Sequence, residues 1–152
     1  ELAEVYETPL RKLKLDIKWS DEALKMAYEE SGGNPYLAMC IAEHAFIINK
    51  DNVIGLDDGE KAVPAAMEAA EEWILREIGR IPSDSELEIL RRALENGVVR
   101  SKNVKYRILL SRLCKSGYLE RVRRGEYMLR KPRIIIRYLV ERYLPLDFHR
   151  EF

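Results

Sequence analysis

Helix stops and starts recur along this chain, and they limit what it can fold into. Gly32-Gly33 is followed at once by Asn34-Pro35, and Ile81-Pro82 runs into Ser83-Asp84-Ser85-Glu86. Asn96-Gly97 and Gly117 each close an apolar-periodic run, and Lys131-Pro132 and Pro145 bracket the last one. Glycine accepts the left-handed geometry of a helix C-cap, Ser and Asn accept hydrogen bonds from the free N–H groups of a first turn, and Pro is tolerated at the first helical position. Signals this close together delimit several short helices. No apolar run approaches the ~20 residues of a membrane-spanning helix. The chain is therefore expected to be mainly α, with short helices packed on one another.

Residues 1–81 predict a small helical bundle. Leu13, Leu15, Ile17 and Trp19 alternate with Lys14, Asp16 and Lys18, the period of a half-buried extended segment. Ser20 caps a first helix, with Asp21 and Glu22 in the turn where the dipole favours anions. Asn34 and Pro35 start a second, running to about Asn49, whose apolar residues go nearly all round and predict a central place in the core. Residues 51–59 read as a loop. A long helix is expected from about Pro64 to Ile78, with Met67, Ala70, Trp73, Ile74 and Ile78 as its stripe.

Residues 82–152 read as a winged helix. Ser83 and Glu86 have capping-box spacing and open a helix that turns Leu87, Leu90 and Leu94 inward. A basic stretch follows, then a helix over roughly 105–116. Tyr106, Leu109, Leu110, Leu113 and Cys114 share one arc of it; Arg107, Ser111, Arg112 and Lys115 share the opposite arc, with Ile108 between. Strands at 118–122 and 126–129, joined at Arg123-Arg124-Gly125, and a last helix from about 133 to 144 complete the half. Helix, basic helix, and hairpin with a basic tip is the order of the winged variant of helix-turn-helix.

The formal net charge of zero hides two opposite fields. Residues 1–80 hold 9 Lys/Arg and 17 Asp/Glu; residues 81–152 hold 17 and 9. Within Gly97–Arg137, 13 basic residues face only Glu120 and Glu126. Such a patch repels itself unless a polyanion relieves it, and double-stranded DNA is the first partner to consider. Arg107, Ser111, Arg112 and Lys115 would face the major groove or its flanking phosphates. Arg123 and Arg124 would reach backbone or minor groove from the wing tip, and Arg100, Lys102 and Lys105 would add phosphate contacts.

Little else in the chain points to chemistry. Cys40 and Cys114, one in each charge half, read as small buried residues of a reducing compartment rather than a disulfide. His44 and His149 have no Cys or His at ligand spacing, so no metal site is expected; His44 reads as a satisfied core or rim histidine. No catalytic triad, Cys/His pair or G-x-x-x-x-G-K-[ST] loop occurs, and no catalytic residue is expected. The start, Glu1-Leu2-Ala3-Glu4, lacks a basic region and hydrophobic signal core, which predicts a cytoplasmic chain or a piece of one. Charged residues are 34%, Gln is absent and Thr8 is the only threonine, a composition that fits a thermophile.

Ser31-Gly32-Gly33-Asn34-Pro35-Tyr36-Leu37 is locally a good helix–turn–helix junction. Gly33-Asn34-Pro35 also resembles the G-x-P motif in the lid of STAND-type AAA+ ATPases, especially the archaeal ATPase family, which often carries G-G-x-P-x-x-L here. Pro9-Leu10 and Leu13-Lys14-Leu15 before Ser20-Asp21-Glu22-Ala23 are similar to the extended link into that lid, and Glu126-Tyr127-Met128-Leu129 before a terminal helix fits the wing that follows it. The resemblance implies a lid-like subdomain over 1–81 and a winged-helix domain over 82–152, belonging to an ATPase whose P-loop core lies outside this chain. It implies that Pro35 packs near adenine, with Gly33 and Asn34 beside it, that ATP or ADP with Mg is bound by the full-length protein and not by this part alone, and that a homo-oligomer is compatible with the architecture. Two features depart from relatives: the helix after Pro35 has no arginine for the phosphates, and no Met-His-Asp run occurs in the winged helix. Two further functions are consistent with the sequence. The winged helix could act as an intramolecular or protein–protein switch without touching DNA, or the chain could be a free-standing transcription regulator.

Overall fold

A computed structural model describes residues 17–148, and seven helices hold 62% of the described chain, with two small sheets. By its contacts the chain divides into two compact units, residues 1–74 and 75–152. The expected subdomain boundary, 81/82, lies later than this contact boundary. The difference comes from Ile78 and Arg80. Ile78 is buried, the Tyr118 hydroxyl donates to the Arg80 carbonyl at 2.7 Å, and the Arg80 guanidinium donates to Glu86 at 2.8 and 3.0 Å.

The first unit begins with β1 (Lys18–Trp19), followed by α1 (Asp21–Ser31), α2 (Pro35–Ile48), β2 (Val53–Ile54) and α3 (Leu56–Ala69); α4 (Glu71–Glu77) starts in it. Residues 13–16 of the expected extended segment, and Pro9-Leu10, lie outside the described residues. The caps form as their side chains dictate. Ser20 Oγ accepts from Ala23 N at 3.1 Å, and Asn34 Oδ1 from Leu37 N at 3.1 Å. Gly32, at φ 60°, ends α1. β1 and β2 pair in parallel, Lys18 with Val53 and Trp19 with Ile54. Helices α1, α2 and α3 pack on one another around many alanines, including Ala23, Ala27, Ala38, Ala45, Ala62 and Ala66, all essentially inaccessible. The approach of α1 to α3 is closest at Gly59, where an added Cβ would come within 2.4 Å of the Met26 methyl.

Three expectations for this unit are corrected. Residues 51–59 are not all loop and Pro64 does not start a helix: α3 begins at Leu56 and carries Pro64 in its interior. Asp58 Oδ2 accepts from Gly55 N at 3.2 Å and secures that earlier start. Pro64 is exposed, so the carbonyl it leaves without a helical donor can be hydrated. The helix also breaks at Ala70 instead of continuing to Ile78. Nor is α2 enclosed. It buries Leu37, Ala38, Ile41 and Ala45, and leaves Tyr36, Met39, Phe46 and Ile47 exposed.

The second unit contains α5 (Asp84–Asn96), β3 (Val99–Arg100), α6 (Val104–Lys115), β4 (Leu119–Arg123), β5 (Glu126–Leu129) and α7 (Arg133–Tyr143). Its sheet has the order β3-β5-β4, antiparallel throughout. The capping box of α5 is complete: Ser83 Oγ accepts from Glu86 N, and the Glu86 carboxylate from Ser83 N, both at 3.3 Å. Helix α5 packs on α7 and α6, burying Leu87, Leu90 and Ala93 with Leu110, Leu113, Ile135 and Leu139. Arg133 donates to the Leu94 carbonyl at 2.7 Å, satisfying one of the free acceptors at the C-terminal end of α5. The residues between α5 and α6, 97–103, form more than a tight turn, since they include β3. This strand was not expected. Val99 pairs with Tyr127 and Arg100 with Glu126, so its partner is set by distant chain rather than by local sequence.

Candidate nucleic-acid interface

Helix α6 is amphipathic because its apolar residues recur at helical spacing. Tyr106, Leu109, Leu110 and Leu113 are buried, and Asn103 Oδ1 caps the helix by accepting from Tyr106 N at 2.8 Å. Lys105, Arg107, Ser111, Arg112 and Lys115 are all exposed. Among the described residues no carboxylate pairs with any of the four cations. Residues 104, 108, 111 and 115 lie on one line of the outward face, with Arg107 on one flank and Lys105 and Arg112 on the other.

The hairpin presents its charges differently. Arg123 donates to Glu126 at 2.5 and 3.0 Å, and Arg100 on β3 donates to the same carboxylate at 3.2 Å. The Arg123 hydrogen bonds hold the Glu126 carboxyl below the usual carboxylate range, with Arg100 adding to the effect. A register shift between Arg121 and Arg123 sets this contact, because it brings Arg123 opposite Glu126. Arg124, also at the tip, is exposed and has no ion-pair partner among the described residues.

Behind the start of α6 lies an open groove of about 620 Å³. Arg91, Arg92, Arg100, Lys102 and Tyr106 line it. Arg91 and Arg92 are already matched: Glu88 accepts from Arg91 at 2.6 and 2.7 Å and from Arg92 at 3.2 Å, and Arg91 also donates to Glu95. Lys102 lies 5.8 Å from the centre of the Tyr106 ring, with no carboxylate partner among the described residues. Of the nine cations and hydroxyls expected to meet DNA, Arg107, Ser111, Arg112 and Lys115 thus share one helix face with Lys105 at its edge. Lys102 and Arg100 stand at the groove, and Arg123 and Arg124 at the hairpin tip.

In the first unit, Gly33 and Pro35 are exposed and Asn34 is half-buried at the start of α2. Gly33 adopts φ 76°, and the exposed Tyr28 ring lies beside it, 3.5 Å from where a Cβ would stand. Tyr36 packs against Trp73 with ring centres 5.6 Å apart. The sequence motif 31–37 did not include Tyr28, which lies one turn before the Gly-Gly cap on α1. The Asn34 side chain is engaged as the cap of α2, which leaves Pro35 and the glycines as the accessible part of the motif.

His44 Nδ1 lies 2.9 Å from the Cys40 carbonyl, as a rim histidine would, and His149 lies outside the described residues. Cys40 and Cys114 are free thiols, and burial pushes both up from the ordinary thiol value. Among the described residues there is no cluster of His, Cys, Asp or Glu that could hold a metal ion, and no helix is long and apolar enough to cross a membrane. Compared with protein families, curated proteins and solved structures, the chain matches none of them.

Proposed function

We propose that the second unit is a winged-helix module that binds double-stranded DNA through α6. The observation that carries this reading is the row of unpaired cations on the outward face of a buried-and-capped helix, followed by a hairpin with a basic tip. A helix of this kind fits the major groove, where Arg and Lys read guanine edges or grip the flanking phosphates. The acidic first unit acts as the lid of a cytoplasmic AAA+/STAND-type ATPase of archaeal, thermophilic type. Its P-loop core supplies Mg-bound ATP, and the lid couples nucleotide state to DNA. Support for the lid is narrower: the exposed Gly33 and Pro35 at a helix start leave the motif accessible to a nucleotide.

Titration of duplex DNA against the folded chain at several salt concentrations tests the DNA reading. With Arg107, Arg112, Lys115, Arg124 and Lys102 each neutralising one phosphate, the log–log slope is expected to be roughly −4 to −5. Absence of binding at low salt ends this reading. The switch-module alternative draws on one observation, the pairing of Arg100 and Arg123 with Glu126: arginines already engaged by a carboxylate of their own sheet are less available to phosphate. For the lid, Pro35→Ala in the protein with its core should weaken nucleotide binding and leave DNA affinity unchanged. Unchanged nucleotide affinity removes that role.

A further inference from the structure

The centre of the α6 face is not cationic. Val104 is 68% exposed and Ile108 50% exposed, and they stand one turn apart on the same line as Ser111 and Lys115. The cations Arg107 on one side, and Lys105 and Arg112 on the other, flank this apolar ridge. Both ridge residues are β-branched, which lowers helix propensity at solvent-facing positions where alanine, lysine or glutamate would serve the helix better. Local stability therefore does not account for them.

An occupant that suits this face has two anionic walls and an apolar spot between them. The major groove has that form: phosphates line both edges, and the thymine C5-methyl is the one apolar group on its floor. Val104 and Ile108 are about 6 Å apart along the helix axis, close to two base steps at roughly 3.4 Å each. We propose that Val104 and Ile108 select 5-methylpyrimidines, reading thymine methyl groups about two base pairs apart on the groove floor. This inference rests on the DNA reading and gives it a sequence preference.

The test uses an A·T-rich duplex of about 20 base pairs, with thymine or with deoxyuridine, which removes only the methyl groups. Binding is measured by fluorescence anisotropy at low salt. Covering one methyl is worth about fourfold in affinity, so two give up to about 15-fold tighter binding of the thymine duplex by the wild-type chain. Ile108→Ala should keep about fourfold, and Val104→Ala/Ile108→Ala should lose the methyl-dependent part altogether. Any difference left in the double variant reads the altered shape of the uracil duplex. A G·C-rich duplex carrying 5-methylcytosine should bind the wild-type chain more tightly than its unmethylated form. Both substitutions are exposed and favour the helix, so the variants should melt no lower than wild type. A thymine-to-uracil ratio that is the same in the wild-type chain and the double variant overturns the inference while leaving DNA binding in place. Failure of the folded wild-type chain to bind either duplex overturns the DNA reading and this inference with it.

Discussion

Helix α6 and the hairpin that follows it carry similar densities of arginine and lysine, yet they differ in whether a carboxylate meets those charges. On α6 the cations stand unpaired beside an apolar ridge. On α5, β3 and the hairpin, glutamates meet several of the arginines, though not Arg124: Glu126 bridges Arg100 and Arg123, Glu88 bridges Arg91 and Arg92, and Glu86 meets Arg80. Charge count alone cannot tell available charge from charge already spent on structure. A phosphate approaching α6 meets cations with no competing carboxylate; one approaching Arg123 meets a charge that Glu126 already partly offsets.

The largest effect should come from removing the available set. Arg107→Ala/Arg112→Ala/Lys115→Ala should flatten the salt dependence of duplex binding by about 2.7 units, and leave stability to urea within ~0.5 kcal/mol. If the same variant unfolds instead, those charges are structural and the contrast collapses. The structural set should behave in reverse. Glu86→Ala removes half of a capping box from a nearly inaccessible carboxylate, and should destabilise the second unit by about 1–2 kcal/mol in urea unfolding with DNA affinity unchanged. Most of that loss belongs to the cap, because the Arg80 partner is half exposed and its pairing is screened by solvent.

A smaller change tests the boundary between the two sets. Glu126→Gln should release Arg100 and Arg123, tightening duplex binding severalfold at low salt and steepening the slope by about one unit. Weaker or unchanged binding would mean that the hairpin arginines never reach phosphate. Acidification should produce the mildest effect. For Glu86, burial works to raise the pKa, but hydrogen bonds from Arg80 and Ser83 together hold it below the ordinary value of 4.5. For Glu88, hydrogen bonding from Arg91 leads, and its pKa too is lowered from 4.5. Groups with lowered folded pKa values contribute stability that is complete above their unfolded pKa and lost as pH falls through the folded one. Urea midpoints of the second unit should thus be flat near neutrality and drop once the pH goes below about 4.5, and Glu88→Gln should reduce that drop.

What could be read in the sequence was what is decided locally. Ser20, Asn34 and Ser83 cap the helices they precede because each side chain reaches an N–H only three residues away. The inward arc of α6 follows from spacing alone. Long-range decisions were not legible. Strand β3 exists because Val99 meets Tyr127, and α3 starts at Leu56 although Gly55 offers no capping side chain and Pro64 imitates a helix start. For the site, the positions of the α6 cations were legible, whereas the neutralising of Arg123 was not. It depends on the register shift at Val122, which a list of charges does not contain.

One arrangement in the first unit bears on how it would answer a pull. Lys18 N donates to the Asn52 carbonyl at 3.0 Å and Ser20 N to the Ile54 carbonyl at 2.9 Å. Asn49, at the end of α2, holds its Nδ2 within hydrogen-bond distance of Asp51, Val53 and Asp58, which share its two protons, and its Oδ1 accepts from Asn52 N. Asp58 in turn secures the start of α3. Tension applied at Lys18 would load two hydrogen bonds in shear, and the Asn49 amide would pass the strain to the ends of two helices at once. The short parallel pair thus ties the segment ahead of α1 to the turn between α2 and α3, while those two helices are held to each other by their own packing.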